Sequence, residues 1–293
     1  MKKVAVLNIG QFIRQSNLAG FYTNTMQDHL VTSHKDIYLP HSHNFYVAIL
    51  FTHGSGIHEV DFSTYNVTPG SLFFLNPGQT HHWELSDDVA GYVFLHTQSF
   101  YDLQYTQNTI NQFPFFYSMH NLPCLYITGN ELVTIEKLFI QIYEENEIDE
   151  SLKKQKIISL INLVYIESTR IYLKLNPVDG KNKNTYYVKF RQLEQLVEEH
   201  YKTEKSPSAY AQMLNISPKH LNRIAQAVIG KTVTDVILER VLLEAKKELV
   251  LQQKNFNEIA YALGYEDYAY FSRLFKKKAN ETPSAFLRRY GNG

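Results

Sequence analysis

An internal repeat in the last third of the chain constrains its fold more than any other feature. Ala211, Leu214, Leu221, Arg223, Gly230, Thr232, Val236 and Ile237 recur as Ala260, Leu263, Phe271, Arg273, Asn280, Thr282, Phe286 and Leu287. The offset is 49 before Leu221 and 50 from it onward, so the second copy carries one extra residue in its turn. Two copies are too few for a solenoid, which needs at least about three, and the repeat predicts two similar small helical units.

Each copy reads as helix, tight turn, helix. In the first, a short helix holds Ala211 to Leu214, Asn215 and Ile216 turn, and Ser217 caps a new helix with Pro218 at its first position. In the second, Gly264 supplies the turn, and the next helix starts near Glu266 or Asp267 and carries Tyr268 to Lys278. This is the helix-turn-helix pattern, whose second helix enters the DNA major groove by its N-terminal end. Lys219, His220, Asn222, Arg223 and Gln226 offer hydrogen-bonding groups there, while Leu221 and Ile224 face inward. A helix from Thr234 to about Val250 joins the copies. Its length of roughly 25 Å, with the width of the units, approaches the ~34 Å between successive major-groove faces. Lys276, Lys277, Lys278, Arg288 and Arg289 supply charge for phosphates.

The net charge of zero hides an asymmetry that fits this reading. Residues 1–184 hold 12 basic and 17 acidic side chains, a balance of −5, and residues 185–293 hold 17 and 12, a balance of +5. A basic domain tied to an acidic one suits a polyanion-binding module joined to a sensing or docking module. At 44% apolar and 20% charged the chain is an ordinary globular sequence, which excludes collagenous, coiled-coil and disordered classes. Its one cysteine, Cys124, cannot form an intrachain disulfide and suggests a reducing compartment. The apolar run Val4 to Leu7 stops short of a secretory core, and no ~18-residue apolar span follows. The expected location is the cytoplasm, with no membrane partner.

From Thr23 to about Leu95 the sequence reads as short strands broken by turns. The strands are Phe45 to Thr52, Ile57 to Phe62 and Ser71 to Leu75, with turns at His53 to Gly56, Pro69-Gly70 and Asn76 to Gly78. That spacing predicts a β-sandwich or small barrel. Helical periodicity follows in Leu132, Ile135, Leu138, Phe139 and Ile142, and again from Ile157 to Val164. These helices either pack on the barrel or form a subunit interface. A symmetric homodimer through the apolar stripe between Glu131 and Leu175 is expected. Pro177, Asp179 and Gly180 open a linker.

The C-terminal stretches Ala211 to Arg223, Arg240 to Leu249, Ile259 to Tyr265 and Phe271-Ser272-Arg273-x-Phe275-Lys276 through Thr282-Pro283 resemble the AraC/XylS family of bacterial transcription regulators. Ala225 stands where that family usually has phenylalanine, which predicts looser packing in the first unit. Asn280 replaces a helix-ending glycine, and Leu287 a frequent arginine. The resemblance implies DNA contacts by Lys219, His220, Asn222 and Arg223 in the first unit and by Tyr268, Ala269, Ser272 and Arg273 in the second, with Gln226, Lys276 and Lys277 beside them. It also implies activation through RNA polymerase.

In the N-terminal half, His41-x-His43 and Gly70-x5-Asn76-Pro77-Gly78-x2-His81 resemble the two cupin motifs, without the glutamate that metal-binding cupins carry, since Val47 and Ala48 stand there. No cofactor is expected, and His41, His43 and His81 are only weak metal candidates. Alternation turns His41 with His43, His81 with Trp83, and Tyr92 with Phe94 to one face each. In a hollow barrel those side chains would hold a small polar effector such as a sugar.

The expected architecture is α+β. Residues 1–128 form a cupin-like effector-binding barrel, 129–176 a helical dimerisation segment, 177–185 a linker, and 186–293 an all-α domain with two helix-turn-helix units. The expected function is a sequence-specific transcription regulator and not an enzyme. The alternatives are a metal-dependent cupin enzyme with a helical docking tail, and a ligand-independent DNA binder.

Overall fold

The computed structural model describes residues 5–12, 18–32, 40–102, 110–117, 122–175 and 183–291. The chain divides into two compact units, Ala5–Pro177 and a second built chiefly of Val178–Gly293. The first holds the strands β1 (Ala5–Leu7), β2 (Phe21–Thr25), β3 (His41–His43), β4 (Tyr46–His53), β5 (Gly56–Val60), β6 (Ser63–Val67), β7 (Ser71–Leu75), β8 (His81–Leu85), β9 (Ala90–His96) and β10 (Cys124–Tyr126). One sheet runs β1-β3-β8-β5-β6 and the other β10-β7-β4-β9-β2. The pairings are antiparallel except β1 with β3. Helices α1 (Met26–Thr32), α2 (Gln98–Asp102) and α3 (Pro114–Tyr117) are short, and α4 (Gly129–Glu147) and α5 (Lys153–Leu175) are long.

Strand β4 shows why the second sheet lies in the middle of this unit. Phe45, Val47, Ile49 and Phe51 face the first sheet and join Phe73, Leu75, Val93 and Leu95 in one core. The alternate residues Tyr46, Ala48 and Leu50 face the other way and join Leu72, Phe74 and Phe94 beneath α4 and α5. A strand buried on both faces needs a continuous apolar run, which Tyr46 to Phe51 supplies. The α+β architecture agrees with the sequence reading.

Three local expectations need correction. The stretch from Thr23 onward is not all strand, because the Thr25 hydroxyl accepts a bond from the Asp28 amide at 3.2 Å and starts α1. Strand β5 ends at Val60 and not Phe62, since Asp61 and Phe62 take φ values of 47° and 68° and form a tight hairpin turn to β6. The apolar stripe assigned to dimerisation is consumed inside the chain. Ile135, Phe139, Ile142, Ile157, Ile158, Ile161 and Val164 are all buried against the second sheet and its neighbours.

The second unit is helical: α6 (Lys183–His200), α7 (Pro207–Met213), α8 (Pro218–Ile229), α9 (Val233–Leu251), α10 (Phe256–Ala262), α11 (Tyr268–Ala279) and α12 (Pro283–Gly291). Helix α6 begins inside the stretch read as linker, and residues 176–182 lie outside the described residues. Arg240 of α9 binds both carboxylate oxygens of Glu198 on α6 at 2.6 and 2.9 Å and lies 4.0 Å from the Tyr201 ring centroid. Two charge-assisted bonds and a stacked ring together fix α6 on α9.

Candidate nucleic-acid interface and interior pocket

The two helix-turn-helix units are built alike from their caps. Before α8 the turn residue Asn215 takes φ 54°, and before α11 Gly264 takes φ 80°. The Ser217 hydroxyl accepts from the His220 amide to start α8, and Asp267 accepts from the Ala269 amide to start α11. Gly230 and Asn280, both left-handed, end the two helices. Asparagine is among the few side chains that tolerate that conformation.

Leu221, Ile224 and Ala225 of α8 and Phe271 and Phe275 of α11 are buried. The opposite faces present Lys219, Arg223 and Gln226 on α8 and Ala269, Arg273, Lys276 and Lys277 on α11, all exposed, with Ser272 half-buried. Four named residues are otherwise engaged. Arg223 donates to His220 Nδ1 at 2.5 Å, and the His220 ring meets Tyr186 of α6 edge-on at 5.9 Å. Asn222 Oδ1 accepts from the Val233 amide at 3.1 Å. Tyr268 stacks on Phe256 at 5.9 Å and 9°. Of the three consecutive lysines, Lys278 is committed to an ion pair with Asp235 of α9. Arg289 pairs with Glu281 at 2.5 Å.

Between the two sheets lies a cluster of imidazoles. The His41 and His81 rings are 4.4 Å apart, His43 and His81 5.1 Å, and His81 and Trp83 5.3 Å. His58 and His29 complete it: His58 Nε2 is 2.9 Å from His81 Nδ1, and His29 Nδ1 is 3.0 Å from the Tyr22 hydroxyl. Neither carried a motif in the sequence. The available signal for His58 was strand alternation, since it faces Trp83 across the β5–β8 pairing. His43 Nδ1 lies 2.9 Å from the Phe45 carbonyl, so that nitrogen bears the proton and Nε2 keeps a buried lone pair with no partner. Burial, reinforced by neighbouring imidazoles, lowers His29, His43 and His58 to about 3 and keeps them neutral.

The cavity that these rings surround measures about 10 Å³, the size of one water. Tyr92 does not line it. Its neighbour in parity is Phe94, so both side chains lie on the outer face of the second sheet, where Tyr92 meets Tyr143 of α4 at 6.2 Å. The parity argument paired the two residues correctly and assigned them to the wrong face. Among the described residues, no group of three His, Cys, Asp or Glu side chains is placed to hold a metal ion, and no helix is long and apolar enough to cross a membrane.

Comparison with known proteins fits both halves. A family model for an AraC-like ligand binding domain matches residues 30–160, and one for a helix-turn-helix domain matches residues 210–289. The HTH-type transcriptional activator RhaS of Enterobacter sp. (strain 638) is 23% identical over 245 residues, covering 83% of this chain and 85% of that protein. RhaS of Escherichia coli O1:K1 is 21% identical over 253 residues with the same coverage. The structure of ToxT from Vibrio cholerae aligns over 92% of this chain and 98% of its own, at 16% identity and a TM-score of 0.43. With one match over most of the two-sheet domain and the other over both helix-turn-helix units, the chain belongs to the AraC/XylS family of transcription regulators, a ligand-binding domain followed by a DNA-binding one.

Proposed function

We propose that this protein activates transcription as a cytoplasmic homodimer, reading DNA with α8 and α11 and answering to a small polar effector held between the two sheets. The observation that carries the reading is the pair of capped helices whose exposed faces present Lys219, Arg223 and Gln226, and Ala269, Arg273, Lys276 and Lys277. Guanidinium and ammonium groups at those places suit guanine edges and phosphates. Its RhaS relatives are named transcriptional activators, which supports activation, with RNA polymerase as the partner that activation requires.

In the N-terminal domain, residues 1–128 hold the effector site and 129–176 the dimer contact, while 186–293 read DNA. The effector meets His41, His43, His81 and Trp83. The unpartnered His43 Nε2 accepts a bond, which favours a ligand rich in hydroxyl or amide donors such as a sugar. A ligand of that size needs several hundred Å³, so its entry must part the side chains that now fill the chamber. The same small volume supports a second reading, a DNA binder that needs no ligand. Trp83 is the only tryptophan and its fluorescence separates the two. A screen of sugars and other metabolites against the full chain, followed by DNA titration with each hit, supports effector control if a hit changes DNA affinity. It supports the ligand-free reading if no compound moves either signal while DNA still binds.

A further inference from the structure

We propose that Asn222 is a positioning residue that locks α8 to the first turn of α9, and that Ser272, its counterpart in the second unit, is released from that duty to meet DNA. The inference rests on the reading that α8 and α11 face DNA. Val233 is the first residue of α9, and an amide at that position has no partner within its own helix. Thr232 and Asp235 satisfy each other's amides in a capping box, and the partly buried Val233 amide is left to Asn222 Oδ1 at 3.1 Å. In the second unit Thr282 again caps, accepting from the Ala285 amide at 3.2 Å, but the residue after it is Pro283. Proline has no amide hydrogen. The donor that Asn222 serves is therefore missing from the second unit, and serine stands in asparagine's place.

The apolar contacts differ in the same sense. Phe275 of α11 meets Phe286 of α12 with ring centroids 6.0 Å apart. The matching residues of the first unit are Ala225 and Val236, both buried but too small to interlock α8 with α9 in that way. Where the aromatic pair is absent, the polar bond takes over the register. Helix α9 also receives α11 at the same turn, through the ion pair of Lys278 with Asp235. Both reading helices are thus referenced to one turn of α9, α8 by Asn222 and α11 by Lys278. The spacing at which the two helices meet successive grooves depends on that anchor.

The test selects bound sequences from random DNA containing half-sites at varied spacing, using the full chain and its Asn222→Ala, Asn222→Ala/Val233→Pro and Ser272→Ala variants. Asn222→Ala is expected to lose about tenfold in affinity for every sequence, the order set by one lost hydrogen bond. It keeps its base preferences and accepts spacings one base pair longer or shorter. Adding Val233→Pro removes the orphaned donor, as Pro283 does in the second unit, and recovers affinity, while the relaxed spacing remains because the bond is still absent. Thr232 already has the extended backbone that a following proline requires. Ser272→Ala loses preference at a single base pair with spacing intact.

A base pair that becomes degenerate in Asn222→Ala while spacing stays sharp overturns the proposal, since Asn222 then reads that base itself. A folded double variant that recovers no affinity, or that regains sharp spacing without the bond, does the same. If circular dichroism shows the double variant unfolded, the preference profile of Asn222→Ala decides alone. An unchanged Ser272→Ala profile removes the role given to Ser272. A wild-type chain that selects no sequence sinks the DNA-reading proposal itself, a result distinct from any of these.

Discussion

Tyr165 donates its hydroxyl proton to His96 Nε2 across 2.6 Å, joining helix α5 to strand β9 in a site closed to water. The other ring nitrogen, Nδ1, gives its proton to the Thr97 carbonyl at 3.0 Å, which fixes the tautomer and makes Nε2 the acceptor. Burial lowers His96 to about 4, so the imidazole stays neutral in this role. Replacing Tyr165 by Phe keeps the ring contacts with Phe74 and Phe116 and strands Nε2. A stability loss of about 1–3 kcal/mol is expected in urea unfolding. An unmoved midpoint would show that the bond contributes nothing net.

The imidazole cluster between the sheets makes stability depend on pH. His29, His43 and His58 sit at about 3 in the folded chain against an ordinary 6.5, so the unfolded chain binds more protons between those values. Their contribution is therefore complete above pH 6.5 and is lost as the pH falls toward 3. Within that window each of these buried groups gives a slope of about 1.4 kcal/mol per pH unit. Thermal unfolding at pH 7 and pH 5 checks this, with a clear fall expected at pH 5. A flat profile would mean that the cluster accepts protons without opening.

Gly264 occupies the turn of the second unit at φ +80°, and a Cβ there would stand 2.0 Å from the Lys202 carbonyl oxygen. Backbone cannot yield as a side-chain tip can. Gly264→Ala is expected to cost about 2–4 kcal/mol and to lower DNA affinity through the second unit. The equivalent change at Gly230, where nothing lies within 4 Å of an added Cβ, costs only the left-handed strain of about 1 kcal/mol. Melting both variants tests the contrast, and equal losses contradict it.

These positions show how far the sequence could be read. The repeat located the turns at Asn215 and Gly264 because left-handed backbone demands particular residue types, and a cap such as Ser217 announces itself by chemistry. Which face of a strand is inward is a different matter. Alternation says that Tyr92 and Phe94 share a face, but β9 is buried on both sides, so parity alone cannot choose between the chamber and the helices. The burial of Ile135 and Ile161 was undecided for a related reason, since an apolar stripe fits a partner chain or the protein's own sheet equally well. The Asn222–Val233 bond is legible only once the start of α9 is known to lie beside α8.

On DNA, Arg223 and Lys277 are expected to behave differently. Arg223 lies on the exposed face of α8 in its second turn, where a guanidinium meets base edges, and Arg223→Ala should relax preference at one position by about 1–3 kcal/mol. Lys277 lies near the end of α11, and Lys277→Ala should weaken every sequence alike and reduce the salt slope by about one. Lys278 is committed to Asp235, so Lys278→Ala should lower stability and alter half-site spacing with little change in that slope. Binding titrations across a salt series, on cognate and scrambled DNA, distinguish the three. Uniform loss in Arg223→Ala would make it a phosphate contact.

With the inner stripe of α4 and α5 buried, the proposed dimer is expected to use what α5 leaves outside. Leu163, Ile166, Arg170 and Leu173 follow a three-four-three spacing along one side of that helix, with Ile166 half-buried against the core. Leu163 and Leu173 are 43% and 45% exposed. That spacing is the seam of a two-helix coiled coil, and a second copy of the chain presents the same seam. Arg170 interrupts the apolar row, but its guanidinium is already paired with Glu167 one turn earlier, which lessens the cost of enclosing it. Leu163→Asp and Leu173→Asp change exposed positions, so each folds with unaltered secondary structure. Each is expected to convert a dimer to a monomer in light scattering at micromolar concentration, and to weaken binding to a two-half-site DNA far more than to a single half-site. A variant that stays dimeric moves the contact to another surface, and a wild-type chain that is monomeric even on DNA removes it.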